Sequence, residues 1–385
     1  MRPALLVLVL FTIGCGRPDP APDARTTLAR AAEWLWAQQA EDGGWHSETH
    51  GIVRGGQAWT AFALDALLQV PDSVAAPPEG GVERALAFLR ARVNEDGALG
   101  YADTLVFEYP VYATAYALRV FARHDAPGDS ALVRRMAAWL AAQQYDEDRG
   151  IAPEHLAYGA WGFGETGLPS GQVGHLDLSH TRRALEGLRA ASHDDAGMWT
   201  AATRFLRFVQ KHPSDTRPQP PGNVPADSSL YDGGFYASPT AVGTNKAGAL
   251  TGPDGQPRAF RSYATTTADG LLALLAAGHA LDSEPVQAAA AWLRAHPGWS
   301  EPSGIPPDDP AQWHRVMELY HAASRAEAYA ALGEPGRWRD DLVRELAARQ
   351  RDDGSFVNPD GAPNKEDDPI LATALAITAL TAASR

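Results

Sequence analysis

The sequence predicts an all-α fold: a closed α/α toroid of six inner and six outer helices. Three features carry that expectation. A two-helix unit repeats along the chain, one helix of each unit is apolar on every side, and the last helix is as apolar as the others. The unit is clearest from Leu28 to Leu68. Its first half places Leu28, Ala32, Leu35 and Gln39 at helical spacing and breaks at Asp42-Gly43-Gly44-Trp45. Its second half carries Trp59, Phe62, Ala63, Ala66 and Leu67 on one face and Ala58, Ala61, Leu64 and Leu68 on another. A helix with one apolar stripe lies outside, whereas a helix apolar all round must be covered all round. Such a unit cannot hide its own apolar surface, so copies have to stack.

In chain order, outer-type segments begin near Thr27, Val82, Ser130, Trp199, Glu284 and Trp338. Inner-type segments begin near Gln57, Pro110, Leu178, Ser262, His314 and Pro369. The inner signatures TAFALDAL, ATAYALRVF, TRRALEGL, TADGLLALL, SRAEAYAAL and ATALAITAL alternate small with large residues, so helices can approach closely around an axis. An open superhelix would end on polar capping repeats. The final segment, Pro369 to Ala382, has no polar face, so closure is expected.

Ahead of the repeats, Arg2, the apolar run Leu5 to Phe11 and Thr12-Ile13-Gly14-Cys15 make a secretory signal, too short to span a bilayer. Gly14 before Cys15 resembles a bacterial lipobox. Residues 1–14 are thus expected to be a signal peptide, with Cys15 lipidated and 15–24 a Pro- and Asp-rich tether. Residues 25–385 then form a single toroid domain with a long rim insertion at 212–260. The expected location is the bacterial cell envelope, lipid-anchored to a membrane, with the folded domain outside the cytoplasm. Cys15 is the only cysteine of 385 residues, which excludes disulfides and thiolate zinc sites from the domain. A net charge of −14 without a basic stripe excludes nucleic acid as a partner.

Gln39-x-x-x-Gly43-x-Trp45 and Gln350-x-x-x-Gly354-x-Phe356 resemble the Gln-Trp repeats of squalene-hopene cyclases. Gln144 and Gln210 hold matching helix ends without the clean Gly-x-Trp. The chain thereby resembles the prenyltransferase/squalene-oxidase repeat superfamily and, with its lipoprotein signal, bacterial single-toroid members of unassigned reaction. In the cyclases the proton donor lies in an Asp-x-Asp-Asp-Thr segment that opens an inner helix. Here Asp177-Leu178-Ser179-His180-Thr181 stands in that register, with Ser179 and His180 in place of the later acids. A serine hydroxyl cannot protonate an alkene, and a histidinium with a pKa of about 6.5 is a far weaker acid than a paired carboxylic acid. The resemblance therefore implies a terpene-cyclase-like toroid that binds, and either transforms or only holds, an apolar isoprenoid or other lipid ligand. The alkene-protonating motif is degenerate. No cofactor is expected, and any reaction would be of cyclase or mutase type.

Topology sorts the loops. Every outer-to-inner connection falls on one rim, including the long aromatic stretches Tyr145 to Leu176 and His212 to Phe260. Six inner helices aim their positive N-terminal ends at that rim, where Glu108, Asp177, Glu366, Asp367 and Asp368 are placed to cap them. Asp177 and His180 are the expected acid/base pair, with Glu318 and His321 opposite. Ser179, Arg261, Tyr263, Tyr320 and Asp368 are expected to bind the ligand. His314, Glu318 and His321 share a helical face, but the Glu-x-x-His form of a carboxylate-bridged metal site needs a second such helix. None is found, so a polar cavity wall is expected and no metal. The alternatives are a periplasmic carbohydrate-active α/α-barrel enzyme, with two carboxylates among Asp177, Glu318 and Asp368, and a non-catalytic envelope scaffold.

Overall fold

The computed structural model describes residues 23–103 and 105–385. The expected signal peptide 1–14, Cys15 and the expected tether up to residue 22 lie outside the described residues. In chain order the helices are α1 (Ala24–Ala37), α2 (Gln57–Leu67), α3 (Gly81–Arg90), α4 (Pro110–His124), α5 (Ser130–Ala141), α6 (Leu178–Ala190) and α7 (Ala196–Val209). There follow α8 (Ala264–Ala276), α9 (Glu284–Ala295), α10 (Trp313–Val316), α11 (Glu318–Leu332), α12 (Trp338–Ala347) and α13 (Pro369–Ala383). The outer helices are α1, α3, α5, α7, α9 and α12. The inner ring runs α2, α4, α6, α8, α11, α13, each packed on the next, and α13 returns to α2. The fold is a closed α/α toroid.

The fifth inner helix departs from the expected start at His314. The chain breaks at Met317 (φ −117°, ψ 36°), so α11 begins at Glu318 and His314 belongs to the short α10. His314 therefore does not continue the helical face of Glu318 and His321.

One turn geometry recurs in five of the six repeats. Gly43, Gly97, Gly159, Gly233 and Gly354 have φ between +81° and +98°. A Cβ on any of them would meet the carbonyl oxygen of Arg84, Arg135, Ala201, Ala288 or Arg30 at 1.9–2.6 Å. Only glycine tolerates both the left-handed backbone and that approach to the next outer helix. Two residues on, the N–H groups of Trp45, Leu99, Trp161, Phe235 and Phe356 donate to Oγ1 of Thr60, Thr114, Thr181, Thr267 and Thr373 on the inner helices.

The glutamines complete the joint. Gln39, Gln144 and Gln210 each donate to the carbonyl of their own turn glycine and to a carbonyl at the start of the next outer helix. Gln350 donates to Gly354 at 3.0 Å and to Thr27 of α1 at 2.9 Å, so the last repeat joins the first. The turns after Gln144 and Gln210 are Gly159-Ala160-Trp161 and Gly233-Gly234-Phe235, moved along the chain by inserted residues but built like the others.

The rim insertion 212–260 folds into two small antiparallel hairpins, β1 (Pro218–Gln219) with β2 (Val224–Pro225) and β3 (Ala249–Thr251) with β4 (Pro257–Phe260). Ala237 and Ala247 of this segment form a second apolar cluster with Tyr263, Ile305, Val316 and Met317. That cluster holds the insertion against the starts of α8 and α11.

Candidate ligand cavity at the inner-helix rim

The N-terminal turns of the inner helices and the loops before them enclose a cavity of two lobes. The first, about 240 Å³, is walled by Trp59, Phe62, Tyr109, Tyr116 and Leu375. The second, about 260 Å³, is lined by Lys246, Thr265, Thr266, Asp269 and Trp313. Tyr112, His175, Asp177, Ser179, Tyr320 and Asn364 line both lobes and mark where they meet.

Asp177 is the N-cap of α6, in extended conformation, and accepts the backbone N–H of His180 at 3.0 Å. Its Oδ1 also takes the Ser179 hydroxyl at 2.6 Å and lies 2.9 Å from His180 Nδ1. His175 Nε2 stands 3.7 Å from the other oxygen. Burial pushes the Asp177 carboxyl up. The neighbouring imidazoles of His180 and His175 and the hydrogen bonds from His180 and Ser179 outweigh it and hold the carboxyl well below its ordinary range. With Asp177 ionised, His180 Nδ1 carries the proton it donates, and Nε2 is the ring nitrogen left over. That Nε2 is buried and has no hydrogen-bond partner. The edge of Tyr112 packs on the ring at 4.7 Å. A carboxylate that fixes a histidine tautomer and leaves its far nitrogen free is the arrangement of a general acid or base.

Below the cavity the axis is filled with charge. Arg182 is fully buried and bonds Glu186 at 2.7 Å, Asp269 at 2.8 Å and Glu327 at 2.5 Å. Arg183 and Arg119 also bond Glu186, at 2.8 and 2.7 Å, and Arg119 reaches Asp65 at 3.2 Å. Tyr320 links this network to the cavity through a 3.0 Å bond to Asp269. Burial pushes the Asp269 carboxyl above its ordinary value despite Arg182, Arg183 and Tyr320. Sequence reasoning missed this network, although the signal was present. Asp65, Arg119, Arg182, Glu186, Asp269 and Glu327 all stand in inner segments that must be covered on every side, so their charges have to pair with one another.

The expected site residues divide. Asp177, Ser179, His180, Tyr263 and Tyr320 line the cavity, Tyr263 with its hydroxyl on the Thr244 carbonyl at 3.2 Å. Glu318 and His321 do not face Asp177 across it. Glu318 is bound by Arg349 from beyond α12. His321 is buried and stands where other repeats carry the turn threonine, but its Nε2 donates to the Gly298 carbonyl at 3.1 Å, whereas those threonines accept a backbone N–H. Burial and the nearby Arg325 push its pKa down to about 3, so it is neutral. Arg261 is exposed and lines neither lobe.

Asp368 caps α13 through Ile370 N–H at 2.9 Å and accepts Trp59 Nε1–H at 3.1 Å, so it orients the wall from behind. Glu108 caps α2 and Glu366 caps α11, each from the loop of the following repeat. Asp367 pairs with His50 at 2.7 Å. Thr265 lines the second lobe, as expected for the start of the fourth inner helix, whereas Lys246 and Asp269 are cavity residues that the spacing did not single out.

No family model and no curated protein matches the chain. Among solved structures it is similar to the ligand-free type II terpene cyclase MstE from Scytonema, with a TM-score of 0.56 and 16% identity over 94% of this chain and 98% of that one. A variant of that cyclase in complex with its substrate, geranylgeranyl dihydroxybenzoate, gives 0.56 and 17% over 94% and 97%. An α-1,6-mannanase from Salegentibacter gives 0.53 and 11% over 94% and 99%. At these identities the likenesses show the α/α toroid fold alone.

Proposed function

We propose that this chain is a terpene-cyclase-like toroid lipoprotein that binds an isoprenoid or other lipid in its central cavity and moves a proton on it through His180. The observation that carries this reading is the free, buried Nε2 of His180, held by Asp177 where the aromatic lobe meets the polar one. An apolar tail packs against Trp59, Phe62, Tyr116 and Leu375, and the polar end of the ligand lies beside Asp177 and Ser179. His180 then acts as base or acid according to the ligand. It leaves unactivated alkenes untouched, because its proton is too weakly acidic. The lipid anchor at Cys15 keeps the domain at the bacterial envelope membrane, where such ligands are found. MstE, whose toroid is alike, takes a geranylgeranyl substrate, which accords with an apolar ligand here.

The test is native mass spectrometry of the full chain isolated from its own membranes. A co-purifying lipid is expected in wild type, retained in His180→Gln and lost when Phe62 is replaced by Asp. A chain that carries no lipid, or carries the same lipid after Phe62→Asp, overturns the proposal.

A carbohydrate-active enzyme is the second candidate. The polar lobe holds two carboxylates pushed in opposite directions, Asp177 down and Asp269 up, with Trp313 beside them. Such a pair is how glycosidases divide acid from base. Asp269, however, is tied to Arg182 and Tyr320, and Asp177 to Ser179 and His180, so neither faces a sugar freely. Release of reducing sugar from bacterial or fungal glycans, lost in both Asp177→Asn and Asp269→Asn, would reverse the ranking.

A further inference from the structure

We propose that the second lobe is an anion subsite at the start of α8, which takes the carboxylate or phosphate head of the bound lipid between Lys246 and Thr265. This rests on the lipid reading above and specifies its polar end.

The start of α8 is unlike most of its neighbours in the ring. Acids from the rim take first-turn N–H groups of α2, α6, α11 and α13. The start of α4 carries Pro110, which has no N–H, and Val111 N–H goes to the Phe163 carbonyl. At α8 the N-cap is Tyr263, which offers no side-chain acceptor, and Ala264 N–H alone is taken, by the Ser303 carbonyl at 2.8 Å. A 13-residue helix thus turns its positive end toward the lobe without a carboxylate of its own.

The independent observation is Thr265. It lines this lobe, is 2% exposed, and its Oγ1 has no hydrogen-bond partner. Its neighbour Thr266 spends its hydroxyl on the Phe235 and Tyr263 carbonyls. A buried hydroxyl left unpaired is costly, and an acceptor bound in the lobe removes that cost.

Lys246 supplies the charge. Its Nζ lies 3.5 Å over the Trp313 ring and donates to the Gly243 carbonyl at 2.8 Å. An ammonium carries three donors, so two remain. The lobe's own carboxylates are already answered by cations and donors. Asp177 faces His175 and His180, and Asp269 faces Arg182 and Arg183. Asp177, 3.7 Å away, raises the His175 pKa at the junction of the lobes.

Titration calorimetry of the full chain tests this with decanoate, decyl phosphate, decanol and inorganic phosphate, in wild type, Lys246→Met and Thr265→Val. One or both anionic amphiphiles should bind at least about tenfold tighter than decanol. The better of the two identifies the head as carboxylate or phosphate. Lys246→Met should cut that advantage to about threefold or less and Thr265→Val should reduce it several-fold, with decanol unchanged. If decanol binds as tightly as both anions, or the advantage survives in both variants, the subsite falls while the lipid reading stands. If no amphiphile binds but inorganic phosphate does, in a Lys246-dependent way, the subsite stands and the lipid reading falls. If nothing binds, both fall.

Discussion

Asp177 Oδ1 receives His180 twice, from the backbone N–H at 3.0 Å and from the ring Nδ1 at 2.9 Å. One carboxylate oxygen therefore starts α6 and fixes the tautomer of the residue three positions on. The two tasks can be separated. Asn caps a helix about as well as Asp, but it carries no charge to hold Nδ1–H. Asp177→Asn should unfold in urea within about 1 kcal/mol of wild type. Turnover of the bound lipid should fall by about 10²–10⁴. An Asn variant with full turnover would remove His180 from the chemistry.

Arg182 is the hub of the axial network, with a different carboxylate on each of its three nitrogens. Replacing it with Met leaves Glu186, Asp269 and Glu327 buried beside fewer partners. The expected loss is about 3–5 kcal/mol, read from the urea midpoint at constant slope. A loss below about 1 kcal/mol would mean that water reaches the axis and solvates these acids.

Ring closure makes its own forecast. Gly354 has φ +96° and a Cβ there would sit 2.6 Å from the Arg30 carbonyl oxygen. Gly333 has φ +62° with nothing within 4 Å. Ala at Gly333 should cost about 1 kcal/mol from backbone conformation alone. Ala at Gly354 should cost clearly more, because α1 must also move. Gln350→Ala should cost about 1–3 kcal/mol for the carbonyls it leaves unpaired. Equal melting temperatures for the two glycine variants would show that α1 is not clamped by the last repeat.

His321 sets a pH dependence. Its folded pKa, pushed down to about 3 by burial and Arg325, lies below the ordinary 6.5. The unfolded chain therefore binds the proton first, and stability is lost as pH falls from about 6.5 toward 3, by about 1.4 kcal/mol per unit. Between pH 7 and 5 this group alone should cost about 2 kcal/mol. His321→Thr, the residue at the matching position of other repeats, should lose about that much less over the same interval in urea unfolding. Parallel pH profiles would show that the ring is protonated in the folded protein.

The repeats were legible where the motif is unbroken. Gln39 and Gln350 stand four residues before their glycines, and the aromatic follows at fixed spacing. Gln144 and Gln210 make the same bonds to glycines 15 and 23 positions away, so inserted loops hid two of the joints. The axial charges were visible letter by letter but mostly unpaired on paper, since apart from the pairs of Arg182 and Arg183 with Glu186 within α6 the partners come from different inner helices.

The amino-acid order by itself determined that six inner and six outer helices build the ring, which of them are covered on every side, and that Asp177 and His180 meet, because residues three apart share one turn of a helix. Only the tertiary structure decided that Glu318 turns to Arg349 and His321 to Gly298, and that Lys246, Thr265 and Asp269 line one lobe. Local spacing fixes where a side chain stands about its own helix axis. The rotation of that helix in the ring, and the point to which a long loop returns, are set by packing against residues far away in the chain.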